Sequence, residues 1–175
     1  MRILILILIL FFITANVITE FVNRKALPPL SNPMSSYLAG VQLAWLQDAG
    51  FFALAAALPL VAGVFHDTVC SASLYVASFA ILIVVATKWI IHESGSTAEQ
   101  ALMERIHVVA AGVAFAGTNL ALLIYTWHSG GLAFGAALAA PISATLFARF
   151  KPGATAVEEK SYTALLMLSL IALFH

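Results

Sequence analysis

Long apolar windows separated by segments that hold most of the charge recur along the chain, near 3–22, 42–65, 70–91, 106–127, 131–149 and 161–174. Most are close to the roughly 20 residues that a helix needs to cross the hydrocarbon core of a bilayer. None alternates apolar with polar residues at the period of two that a barrel strand would show. The pattern predicts an all-α protein, a polytopic transmembrane bundle of six helices built as a single domain over 1–175. The first window is longer than the 7–15 apolar residues of a typical secretory leader and lacks a small-residue cleavage pattern, so it is expected to be a retained span. Pro59 and Pro141 fall inside the second and fifth spans, where each predicts a kink.

Small residues crowd three of the spans, at Ala53 to Ala57, Ala110-Ala111-Gly112 and Gly135 to Ala140. Gly112 and Ala116 stand four apart, as do Gly131 and Gly135. In lipid such spacings let helix backbones approach closely. The expectation is a small-residue core formed chiefly by the second, fourth and fifth spans, with these pairs serving internal packing. The connections near Asn23 to Gly40, His92 to Arg105 and Phe150 to Lys160 are long and polar and share one membrane face, whereas His66-Asp67 and His128-Ser129-Gly130 are tight turns on the other. Arg24, Lys25, Lys88, Arg105, Arg149, Lys151 and Lys160 gather on the long-loop face, against Arg2 on the other, which by the positive-inside rule puts the long loops in the cytoplasm.

Composition sharpens the membrane assignment: 62% of residues are hydrophobic and 9% charged, with a mean hydropathy of +1.01, against about 25% charge in a soluble domain. The net charge of zero and the lack of any Lys/Arg run exclude a nucleic-acid partner. Membrane lipids, and a protein partner within the bilayer, are the expected contacts. Cys70 is the single cysteine, so neither an internal disulfide nor a thiolate metal cluster can form.

Four stretches resemble a bacterial family of six-span membrane proteins, the one named for domain of unknown function 998 and similar to the Frag/DRAM/Sfk-type proteins. They are Asn32-Pro33-Met34-Ser35-Ser36-Tyr37-Leu38 leading to Trp45-Leu46-Gln47, Ile91-His92-Glu93, Arg105-Ile106-His107-Val108-Val109-Ala110-Ala111-Gly112, and Glu158-Glu159-Lys160. The family's usual Phe-Pro-x-Asp turn is replaced here by Ile90-Ile91-His92-Glu93. The resemblance implies a six-span fold in a bacterial inner membrane with cytoplasmic termini, opposite to the charge count. It implies no particular chemistry.

Ionisable groups at membrane depth are functional candidates by default. Asp48 lies about two turns into the second span and requires a cationic partner, Arg105 or Lys88, or a proton. Arg105 is the expected partner, because its guanidinium can bind a carboxylate through two parallel hydrogen bonds. The sequence therefore predicts a polar pocket of Asp48, Arg105, His107 and Glu104 beneath the long loops, with Gln47 nearby. Gln47 and Asn119 are expected to make interhelical hydrogen bonds. His92, His107 and Glu104 form a chemically plausible zinc set, three protein ligands leaving a position open for water. His66 with His128, and His92 with His107, could ligate b-type haem, although all four stand at helix edges. Ser35 and Ser36 read as capping residues, and the tryptophans and tyrosines near span ends as an aromatic belt. With no complete catalytic set, no cofactor is favoured. A non-enzymatic membrane protein acting through lipid or protein contacts is the leading expectation, an intramembrane metal-dependent hydrolase the alternative, and a b-type haem protein the third.

Overall fold

The computed structural model describes residues 1–26, 41–93, 97–127, 130–150 and 155–174, with the side chains of 92, 93, 146–150, 155 and 158 left aside. Ser35, Ser36 and Tyr37, together with the Asn32 to Leu38 stretch, lie outside the described residues. So do His128 and the side chains of His92, Glu93 and Glu158.

Six helices follow one another: α1 (Arg2–Asn23), α2 (Ala44–Ala62), α3 (Thr68–Glu93), α4 (Thr97–Thr126), α5 (Gly131–Phe150) and α6 (Thr155–Ala172). Four of them, α1 to α4, are long and apolar enough to cross a membrane. The apolar part of α5 is shorter, Gly131–Thr145, and α6 opens with Glu158, Glu159 and Lys160 before its apolar run. α4 begins well before the apolar window that marks it, because Ala98, Gln100, Ala101, Leu102 and Met103 are good helix formers and Glu99 favours the positive end of the helix dipole. Hydropathy marks where a helix meets lipid; the helix itself continues into the polar segment.

Large apolar side chains cover the outside, among them Ile3, Val17, Phe52, Phe79, Val108 and Leu132. In water such a surface would aggregate; against acyl chains it costs nothing. Inside, α2 is flanked by α1 and α3, α3 packs most extensively on α4, α5 lies on α6, and α6 returns to α4 and, sparsely, to α1. Most of the alanines expected in the core are buried, Ala53, Ala55, Ala57, Ala110, Ala137 and Ala140 among them, but residues of α1 and α3 share that core with them. α2 and α5 make no substantial contact with each other, and the tight crossings occur where α1 meets α2 and α3 meets α4.

Those crossings depend on glycines other than the expected ones. A Cβ on Gly50 would stand 2.9 Å from the Cβ of Ala15, and one on Gly117 would stand 3.0 Å from the carbonyl oxygen of Ser73 and 3.3 Å from the Cβ of Ala77. Gly112, Gly131 and Gly135 would meet nothing within 4 Å, and Ala116 is exposed. The buried face of α4 runs through His107, Ala110, Ala114, Thr118 and Ala121. Gly112 and Ala116 are turned roughly 200° from Ala110 and Ala114 respectively at 100° per residue, and so face outward.

Both prolines lie inside continuous helices, Pro59 in α2 and Pro141 in α5. Pro59 has no N–H to give the carbonyl of Ala55, and the hydroxyl of Ser78 on α3 donates to that oxygen instead, at 2.6 Å. In the turn that follows α2, Asp67 caps α3 by accepting the Cys70 N–H at 2.8 Å, and Ser71 donates to the carbonyl of Ala62 at 3.0 Å.

A buried polar network at the long-loop end

The buried stripe of α1 follows 4,3 spacing through Ile5, Ile9, Phe12, Asn16, Thr19 and Asn23. It is apolar in its first half and polar in its second, so α1 brings three hydrogen-bonding side chains to the long-loop end of the bundle. Asn23 holds both backbone groups of Gln42: its Nδ2 donates to the Gln42 oxygen at 2.8 Å and its Oδ1 accepts the Gln42 N–H at 3.1 Å. Leu43, the next residue, sits in the left-handed region with φ 60°, and its carbonyl accepts the Leu46 N–H at 2.9 Å. A non-glycine residue pays about 1–2 kcal/mol for that conformation. The Asn23 clamp fixes it, and with it the point where α2 starts and the direction in which Gln47 and Asp48 project.

Both of those side chains are buried, Gln47 at 1% exposure and Asp48 at 5%. Lys88, 4% exposed, reaches across from α3. Its ammonium donates to Asp48 Oδ1 at 2.6 Å and to Gln47 Oε1 at 3.2 Å, while the Trp89 indole N–H donates to Asp48 Oδ2 at 2.9 Å. Gln47 Nε2 continues the chain to Asn16 Oδ1 at 3.2 Å, and Asn16 Nδ2 donates back to the carbonyl of Phe12 at 2.8 Å. Three helices are thereby tied by one line of charge-assisted and neutral hydrogen bonds. Asp48 has a bond on each carboxylate oxygen, the arrangement that makes a buried charge tolerable.

Asp48 therefore pairs with Lys88, not with the expected Arg105. α2 adjoins α3, which places the last turns of α3 against Asp48, whereas Arg105 stands on the exposed face of α4. It is two residues from the buried His107, about 200° around the helix. Glu104 lies a turn before His107, toward the polar loop, and is exposed as well. Of the expected pocket, Gln47 and His107 border one cavity, Asp48 is tied to it through Lys88, and Glu104 and Arg105 stand exposed outside. Trp89, expected in the aromatic belt, serves Asp48, and Tyr162 donates its hydroxyl to the carbonyl of Phe115 at 3.4 Å.

His107 is held from α3. The Thr87 hydroxyl lies 2.8 Å from the carbonyl of Ile83 and 3.0 Å from His107 Nδ1. A hydroxyl both donates and accepts, so Thr87 can hold Nδ1 in either tautomer of the imidazole. Nε2 is buried without a hydrogen-bond partner, as is Oδ1 of Asn119. The side-chain oxygen of Asn119 thus takes no part in the interhelical hydrogen bonding expected of that residue. His107 borders a cavity of about 50 Å³ with Gln47, Lys88 and Glu159 at its polar end and Phe12, Leu54, Ile81 and Met167 among its apolar walls. Helices α1, α2, α3, α4 and α6 ring it; α5 stands outside. At about 10–15 Å³ for each water this space admits a few water molecules.

No family model matches the chain, and no curated protein or solved structure matches it either. The site must be read from its own chemistry. Among the described residues no three His, Cys, Asp or Glu side chains converge as a metal site would require. His107 has its Nδ1 engaged by Thr87, Glu104 is exposed, and the side chain of His92 lies outside the described residues. His66 is exposed in the turn between α2 and α3, where it cannot present an imidazole to the bundle interior as bis-histidine haem demands. The residues that the sequence reading missed, Asn16, Asn23 and Thr87, had a signal in the α1 case: the 4,3 spacing of the buried stripe continues unbroken from Phe12 into Asn16.

Proposed function

We propose that this is a non-catalytic integral membrane protein that works through its contacts with lipid in the bilayer. One observation carries the reading. Asp48 and Lys88 are engaged with each other and with their neighbours, both oxygens of Asp48 and two hydrogens of the Lys88 ammonium being committed to bonds between helices, while the outer surface is apolar and furrowed. The network acts as a fastener that sets α1, α2 and α3 in register. Its value is positional, since a buried ion pair adds little net stability yet is costly to break.

The test is to purify the protein in mild detergent, exchange the detergent exhaustively, and measure retained lipid by mass spectrometry alongside metal content and the visible absorption spectrum. Retention of stoichiometric phospholipid through the exchange is the expected result. Complete loss of lipid, or stoichiometric zinc or a haem Soret band, would overturn it. A metal-dependent hydrolase has one atom in its favour, the unpartnered Nε2 of His107 beside the cavity. Zinc bound there would have to disappear in His107→Ala.

A further inference from the structure

The outer face of the α3/α4 pair carries two furrows that share Val76 and Val113. One, of about 530 Å³, is lined by Thr68, Val69, Ala72, Ser73, Ala116, Gly117 and Leu120 besides the shared pair. The other, of about 370 Å³, continues past Phe79 and Ile83 on α3 and Val109 and Ile106 on α4 to end at Arg105. The same cause produces both: Gly117 lets α4 approach the backbone of α3 at Ser73, and the small residues beside that contact leave a trough along the seam. From Thr68 to Ile83, and from Leu120 to Arg105, the trough runs over fifteen helical residues, about 22 Å at 1.5 Å per residue. One leaflet's hydrocarbon is about 15 Å deep, so a full acyl chain can lie in it lengthwise.

Arg105 decides what the chain is attached to. It is the charged residue of the trough, exposed, and it stands where α4 changes from its polar first turns to the apolar run beginning at Ile106. That boundary is the level of the lipid headgroups. A guanidinium there offers two parallel N–H donors to a phosphate, with far better geometry than an ammonium. We infer that the α3/α4 trough is a binding site for a glycerophospholipid, one acyl chain lying against Ala72, Val76, Val113 and Ala116 and the phosphate on Arg105. The inference rests on the lipid-contact reading and adds the place and the headgroup chemistry. Small residues on an outer helix face could equally admit a second copy of the chain, but Arg105 at the end of the trough has opposite charge to a phosphate and would face its own like in a symmetric dimer.

The experiment places the protein in detergent micelles doped with equal amounts of phosphatidylglycerol and diacylglycerol of the same chains, and counts bound lipids by native mass spectrometry. Phosphatidylglycerol is expected to be retained over diacylglycerol. Arg105→Gln should lower that retention about tenfold, the loss of roughly 1.4 kcal/mol that one charge-assisted contact supplies, with Arg105→Lys intermediate. Ala116→Phe, which fills the trough from an exposed position, should abolish retention of either lipid, while thermal unfolding of both variants stays within a few degrees of the wild type. Equal retention of the two lipids by the wild type, or undiminished retention in Arg105→Gln and Ala116→Phe, would overturn the site while leaving the lipid-contact reading standing. Retention of no lipid by the wild type would bring down both. A dimer in the spectrum that Ala116→Phe dissociates would show that a second copy occupies the trough and would overturn the site.

Discussion

At the scale of single residues, the pairing of Asp48 with Lys88 sets the clearest expectations. Removing one partner leaves the other buried and uncompensated, which costs about 3–5 kcal/mol. Asp48→Ala and Lys88→Ala should each lower the unfolding temperature in detergent markedly, and the double variant Asp48→Leu/Lys88→Met should recover most of the loss, because two apolar side chains of similar bulk replace a neutral pair. A double variant as unstable as the sum of the singles would show that the two residues act independently. Asp67 makes a different prediction. Its carboxylate is held below its ordinary value of 3.8 chiefly by the backbone N–H of Cys70, so its capping of α3 is strongest above the unfolded-state pKa and fades as pH falls through the lower folded one. The difference in melting temperature between wild type and Asp67→Ala should be full at pH 7 and should shrink progressively below about pH 4. A difference that grows on acidification would contradict the cap.

Helices as elements show how much the chain's pattern reveals and where it stops. The apolar windows located all six, because hydrocarbon length and helical rise fix what a span must look like. Asp48 stood out for the same reason, a carboxylate two turns inside an apolar run. What hydropathy could not convey was which faces meet. Arg105 and Lys88 both stand on the long-loop face, and only the packing of α2 beside α3 selects Lys88. In the same way Gly112 and Gly117 are equally small, yet helical rotation turns one outward and the other onto Ser73. Pro59 was legible as a break in α2; its remedy, Ser78, lies on another helix. Ser78→Ala should leave the Ala55 carbonyl buried without a donor and cost about 1–3 kcal/mol, measurable as a lower unfolding midpoint, with Ser78→Thr restoring much of it. If Ser78→Ala is neutral, the Pro59 break is satisfied in some other way.

For the molecule as a whole, the ring of helices is unevenly closed. α3 and α4 interlock along their length, whereas α1 and α6 touch sparsely and are joined at the long-loop end by Lys160 and Glu20, 3.0 Å apart. Partly exposed pairs of this kind contribute at most about 1 kcal/mol. Lys160→Gln should therefore speed hydrogen exchange of amides in the second half of α1 and the first half of α6, leaving those of α3 and α4 unchanged; uniform acceleration would show that the bundle opens only globally. Below that ion pair a furrow of about 340 Å³ separates the two helices on the outside, and two of its walls, Phe12 and Met167, are also walls of the inner cavity. The interior beside Lys88 and His107 is thus partitioned from the bilayer by a single layer of side chains. One of them, Met167, is an unbranched thioether with freely turning bonds, so the wall between cavity and bilayer is at its most adaptable where it is thinnest.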